Sequence, residues 1–315
     1  MIPEPKTRIR ELGNQLDRGI FPVVHNRGIV WPSGALSSLS TRGQEMRYEP
    51  SGSFRPEIGQ GQGSPRGQGS PRRQGSSRGQ GSSRRPRSAR SAAPVVSAEL
   101  RTAYHEGVKD CARAYPDLSV WSSDGEMWLL AESKVVEGLS RTAMFLLNLP
   151  YSRGHRVRGW GFWKTAVSRT WIGPRHTNFP DGSICAFEVA DGTWSPKDPL
   201  ITLLDLYTMW AARHLHLEWF GRWPGFQSVP HPAERIMELR GDEFCGCGRS
   251  TGLYRDCCKA GDLSQTTSAE MVVFWGFRRR YPPPEIMRSA WREEPPSLSA
   301  ERSRPLSPIT LSYAA

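Results

Sequence analysis

The chain contains no apolar run approaching the roughly 18–20 residues that a membrane-spanning helix needs, and its mean hydropathy is −0.54. A helical membrane protein is excluded on those grounds. Cysteine is scarce, with six in 315 residues. That is too few for a disulfide scaffold, and four of the six crowd into fourteen positions, Cys245 to Cys258. The segment Met1–Asp17 carries mixed charge and lacks an apolar centre, unlike a secretory signal. The expectation is a cytoplasmic protein, in whose reducing surroundings a cysteine cluster reads as metal or thiol chemistry.

Charge is present but unevenly placed. The formal net charge is +11, and residues 1–95 hold 16 Lys and Arg against 6 Asp and Glu. The remaining residues hold 26 against 25. The basic character belongs to the N-terminal third, so the overall pI says little about the partners of the rest. Residues 61–84 repeat a six-residue Gly/Gln/Ser/Pro/Arg unit, GQGSPR and its variants. Such a tract buries too little apolar surface to offset its ordering entropy. On that composition, 1–95 reads as a disordered Arg/Gly/Ser-rich tail. It is either an upstream extension or an arm whose arginines hold nucleic-acid phosphates by charge.

From Ser97 the pattern changes. Leu100, Tyr104, Val108, Cys111 and Tyr115 recur at helical intervals, with Ser97 as N-cap and Glu99 in the first turn. Cys111 lies on the apolar stripe and reads as core. Short β-rich segments follow at 118–122, 126–132, 142–149 and 157–164, the first two joined through Asp124-Gly125. A helix and about four closely spaced strands suggest an antiparallel meander. Thr142–Leu149 alone reads equally as a buried helix segment, because short apolar runs are ambiguous. Leu203, Leu206, Tyr207, Trp210 and Ala211 then predict a helix over 200–220. Beyond Pro282, repeated prolines and Ser/Arg clusters predict a loose end.

The most informative stretch is His176-Thr177-Asn178-Phe179-Pro180-Asp181-Gly182-Ser183-Ile184-Cys185. It sets one cysteine in a polar, turn-rich loop between the meander and the long helix. Thiol chemistry needs an accessible thiolate and donors for a developing oxyanion. Asn178 is a candidate donor. His176 is a candidate base or a residue that holds the loop. Asp181 and Asp191 read first as turn formers.

Here the chain resembles the ubiquitin-conjugating enzyme family. That family has His-Pro-Asn shortly before its catalytic cysteine, an Asp/Asn-Gly-x-Ile-Cys approach, and Trp-Ser-Pro after it. This chain has His176-Thr177-Asn178, Asp181-Gly182-Ser183-Ile184-Cys185 and Trp194-Ser195-Pro196. Thr177 stands where the family has proline. The resemblance covers about 97–220. It implies that Cys185 carries a ubiquitin-like protein, or another protein's C-terminus, as a thioester. Asn178 would stabilise the oxyanion or support the loop, and His176 would be mainly structural. Trp194 and Pro196 would shape the loop after the nucleophile. The chain has no nucleotide-binding Gly-rich loop, so the resemblance implies a separate activating enzyme. It also implies a bacterial anti-phage setting, because divergent members sit beside such genes.

Cys245-Gly246-Cys247, nine residues, then Cys257-Cys258 is a metal-ligand pattern, and four thiolates suit tetrahedral zinc. Gly246 and Gly248 would let the first pair turn sharply. A bridge between the adjacent Cys257 and Cys258 would be strained. The pattern resembles the SEC-C motif, a small zinc hook, with a gap one residue longer than usual. With four protein ligands the site would be structural or a docking surface. His231 ranks low as a fifth candidate, and His214 and His216, two apart on a helix, do not share a face. Of Trp160, Trp163, Trp171, Trp210, Trp219 and Trp223, most read as core or partner contacts.

The fold expectation is α+β: a four-stranded antiparallel meander of the ubiquitin-conjugating type flanked by helices, plus a zinc hook and disordered tails. The boundaries are 1–95 tail, 96–240 conjugating domain, 241–262 zinc module and 263–315 mostly disordered. The rival function is a non-catalytic, zinc-containing adaptor for a protein or nucleic acid.

Overall fold

The computed structural model describes residues 4–30, 96–153, 155–187, 192–277, 281–296 and 307–308. The repeat at 61–84 and Asp191 lie outside the described residues.

The N-terminal third is not a tail throughout. Helix α1 (Pro5–Asp17) starts with proline at its first turn and buries Ile9, Leu12 and Leu16 completely. These fall at i, i+3 and i+7, a narrow apolar stripe. Gly13 lies so close to His216 that a Cβ would sit 2.2 Å from its Nε2. Asp17 accepts bonds of 2.6 and 3.1 Å from Arg222 and one of 2.8 Å from the Gly225 amide. A short hairpin of β1 (Val23–His25) and β2 (Gly28–Val30) follows. Averaging composition over 95 residues hid this stripe beneath the arginines of the repeat.

Helix α2 (Ala98–Ala114) begins where expected, with Ser97 Oγ accepting from the Leu100 amide at 3.3 Å. Five antiparallel strands come next: β3 (Ser119–Ser122), β4 (Glu126–Ser133), β5 (Thr142–Pro150), β6 (Arg158–Lys164) and β7 (Arg169–Trp171). The four expected strands are present in order. β7 is an addition, pairing Trp171 with Phe162. The central strands are buried on both faces. Met127, Leu129, Phe145 and Leu147 face the main core, while Trp128, Leu130, Met144 and Leu146 face a second cluster. Burial on both sides removes the polar/apolar alternation of a half-buried strand, which is why Thr142–Leu149 was ambiguous by pattern.

Helix α3 (Leu200–Phe220) covers the first face and ends at Gly221, whose φ is 69°. Its Tyr207 and Trp210 pack against two glycines of β6. A Cβ at Gly159 would meet the Tyr207 ring at 2.4 Å, and one at Gly161 would meet Trp210 at 2.6 Å.

Four short helices complete the fold: α4 (Pro232–Glu238), α5 (Lys259–Gln265), α6 (Ser268–Phe277) and α7 (Pro284–Arg292). The last two occupy the region expected to be mostly disordered. Ile286 and Ala290 of α7 close the second sheet face against Trp128, Trp160 and Phe162. The prolines read as loop signals instead start this helix, with Pro284 in its first turn. The two-residue strand β8 (Ser307–Pro308) pairs with the β3 edge.

No helix among the described residues is long and apolar enough to cross a membrane.

Candidate functional site

The segment 176–185 folds back on itself between β7 and α3. Thr177 bridges Ile184, and the Asn178 amide donates to the Ser183 carbonyl at 2.6 Å. The Cys185 amide donates to the His176 carbonyl at 2.9 Å, which also accepts from Trp210 Nε1 at 3.0 Å. The Ile184 amide donates to Gly159 at 2.7 Å, anchoring the returning arm on β6. Cys185 therefore sits half-buried at the end of a closed loop, braced from below by the helix that follows it in sequence.

The sequence-predicted residues meet in this loop, in different postures. Asn178 Nδ2 donates to the Ile184 carbonyl at 3.1 Å and to Ser183 Oγ at 3.3 Å. Its amide ties the loop together. His176 has a left-handed φ of 50° and packs on Trp223, ring centroids 4.3 Å apart. Burial, then the neighbouring Arg175 charge, hold its pKa well below the ordinary histidine value. Its neutral ring donates through Nε2 to Gln227 Oε1 at 2.9 Å. Asp181 accepts from the Ser183 amide at 3.1 Å and from Arg158 at 2.6 Å, as a turn former would. Trp194 is buried against Phe187.

Sequence reasoning missed Tyr207. Its hydroxyl is buried with no hydrogen-bond partner among the described residues, and burial, then the charge of Cys185, push its pKa up. The sequence placed it only on the apolar stripe of the 200–220 helix, three residues before Trp210.

The four clustered cysteines come together. Their sulfurs lie within 4.8 Å of one another, with Cys247 to Cys257 at 3.7 Å and Cys257 to Cys258 at 3.6 Å. No pair is bonded. A tetrahedral ion with metal–sulfur bonds of about 2.3 Å sets its sulfurs about 3.8 Å apart, so the cluster has the spacing of a thiolate cage. Gly246 and Gly248 take left-handed φ values of 69° and 72°, the sharp turn their positions predict. Outer donors are in place: the Arg249 amide reaches Cys247 at 3.4 Å and the Arg249 side chain reaches Cys258 at 3.8 Å. Such contacts orient metal thiolates. Burial raises the pKa of Cys245, and raises Cys258 to about 11. Burial also opposes ionisation of Cys247, yet bonds from the Arg249 amide and the neighbouring thiols lower it to about 6.

The module is larger than residues 241–262. Val229, Leu239 and Tyr254 pack on the cysteines, and Arg235 of α4 forms a two-pronged ion pair with Asp262 of α5 at 2.7 Å. His231 accepts from the Ala233 amide to cap α4 and is not among the grouped ligands. His214 and His216 are both buried, His214 donating to the Arg175 carbonyl and His216 to that of Arg222.

The two sites are joined by polar contacts invisible in the sequence. Arg175, beside His176, pairs with the fully buried Glu243, two residues before Cys245, at 2.5 and 3.2 Å. Glu243 also accepts the Trp223 amide at 2.7 Å and the Arg240 amide at 3.3 Å. Gln227 accepts from Arg175 and His176, each at 2.9 Å, and donates to the Phe244 carbonyl at 2.7 Å.

The structure thus defines an α+β protein with an antiparallel sheet of five consecutive strands extended at one edge by the short β8, a cysteine loop and a four-cysteine centre able to hold a metal ion. No family model, curated protein or solved structure matches the chain.

Proposed function

We propose that the chain is an acyl carrier of the ubiquitin-conjugating type, with Cys185 as its nucleophile and zinc as a structural ion on Cys245, Cys247, Cys257 and Cys258. The supporting observation is the closed loop that sets half-buried Cys185 beside His176 and Asn178, after a helix and an antiparallel meander and before a long helix. The Cys185 thiol would give its proton to solvent and its sulfur would form a thioester with the activated C-terminal carbonyl of a carried protein, the activating group departing with its electron pair. An amine nitrogen would then take the acyl carbon, the thiolate would leave, and the amine proton would pass to solvent.

The test is intact-mass analysis of protein purified from its own host without reductant, wild type beside Cys185→Ser. The expected result is a protein-sized adduct that thiols remove from the wild type and that persists on the serine variant as an oxyester. Bare wild type and bare variant, even after co-expression with genomic neighbours, would overturn the reading.

A second reading, a non-catalytic zinc-containing adaptor, has its own support. The Asn178 side chain is spent inside the loop, and α6 exposes Val272, Val273 and Trp275 beside Phe274, which packs edge-on against Phe179. A Cys185→Ala variant that keeps full biological activity would favour the adaptor.

A further inference from the structure

Cys185 and Cys245 are sixty residues apart, yet three hydrogen bonds span the gap. The Cys185 amide donates to the His176 carbonyl at 2.9 Å. The His176 ring donates to Gln227 at 2.9 Å, and Gln227 donates to the carbonyl of Phe244, the neighbour of Cys245, at 2.7 Å. The Arg175–Glu243 pair runs alongside, 6% and 0% exposed. A carboxylate taking four donors in a dry site is costly to disturb in part, because each partner lost leaves a buried charge short of a bond. The register is held from the module side as well. Gly246 accepts from the Val229 amide at 2.7 Å, and its backbone lies so close that a Cβ would stand 2.8 Å from that nitrogen.

His176 is held in its left-handed conformation by the Cys185 amide and Trp210 on its carbonyl, by Gln227 on its ring nitrogen and by packing on Trp223. Phe244 and Glu243, in turn, are tied to the cysteine turn, where Cys245 donates to the Gly252 carbonyl at 3.0 Å and Tyr254 to that of Glu243 at 2.8 Å. Removing an ion from four close thiolates would release that turn first, because proton-sharing thiols hold one another far more weakly than a common metal does.

We propose that Arg175, Gln227 and Glu243 are positioning residues for Cys185, through which metal occupancy of the four-cysteine centre sets the reactivity of the loop thiol. This rests on the metal reading above and not on acyl transfer.

The test uses the full chain, loaded with zinc, and reads metal content by mass spectrometry and iodoacetamide labelling of each cysteine by peptide mapping. Stripping the zinc with a chelator is expected to speed labelling of Cys185 about tenfold, the scale of one or two lost buried hydrogen bonds. Zinc added back is expected to restore the slow rate. Cys111, fully buried in the main core, should stay unlabelled throughout. Glu243→Gln keeps all four sulfurs, so it should still take up one zinc while labelling fast at Cys185 whether or not the chelator is present. Coupling is reciprocal, so the same variant should also release zinc to a competing chelator more easily. Gln227→Ala gives the same comparison if Glu243→Gln does not fold. A Cys185 rate indifferent to zinc removal, in protein shown to have lost its metal, overturns the proposal. So does labelling of Cys111 in step with Cys185, because the metal would then hold the whole fold and not the loop. A chain that takes up no zinc at all sinks the metal reading itself.

Discussion

At the scale of single residues, the chemistry-bearing side chains were legible by type but not by posture. The dense run from His176 to Cys185 marked the loop. The pattern offered Asn178 as an oxyanion donor or a loop support, and its side chain bonds Ile184 and Ser183 within the loop. Nothing in the pattern pointed to Arg175, Gln227 or Glu243, because their partners lie 52 and 68 positions apart in the sequence. The buried histidines carry a pH dependence. Burial pushes His214 from 6.5 down to about 3, so between those values the unfolded chain binds a proton that the folded one refuses. The stability it contributes is full above about pH 6.5 and is lost as pH falls towards 3. His176 and His216 are lowered too and act in the same sense. Asp205, raised to about 6 by burial, acts in the opposite sense between 3.8 and 6. The urea midpoint should fall between pH 6.5 and 4, and fall less in His214→Gln, which keeps a donor for the Arg175 carbonyl. A second residue-level prediction concerns Gly159. Its replacement by alanine would drive a methyl group into the Tyr207 ring and should cost about 1–3 kcal/mol in urea unfolding.

At the scale of elements, the helices at 98–114 and 200–220 were legible because they are long and periodic, and the meander because its β-rich runs follow one another at close spacing. α1 and α7 were not, for one shared reason. Each is a short helix whose apolar stripe is three residues or fewer, embedded in polar, proline-bearing sequence that composition assigns to tails. Their burial makes them testable. Leu12→Ala in α1 and Ile286→Ala in α7 remove side chains that are 0% and 5% exposed. Each should destabilise the protein by about 2–5 kcal/mol, measured by urea denaturation. Two variants with the wild-type midpoint would mean that these helices do not belong to the folded unit. The ambiguity of Thr142–Leu149 has a different origin. A strand covered on both sides has no solvent side to write into its sequence, so only its neighbours in the sheet identify it.

At the scale of the whole molecule, charge and fold separate. The repeat at 61–84 contributes five arginines and no acidic residue. Excising it alone, and sparing α1, should leave the thermal midpoint unchanged. If the tract holds nucleic acid, the same excision should flatten the dependence of binding on salt by as much as about 4–5 in log–log slope for duplex DNA. An unchanged slope would place nucleic-acid binding, if any, elsewhere. The placement of α3 and α7 on opposite faces of one sheet has a consequence for how the protein is made. The strands are synthesised in the middle of the chain, and the helix that seals their second face is translated more than a hundred residues after β6 begins. Until Ile286 and Ala290 emerge, Trp128, Leu130, Trp160 and Phe162 form a bare aromatic wall on the nascent chain. A shortened gene ending near residue 240 would freeze that unfinished state, and its product should aggregate where the full chain stays dispersed.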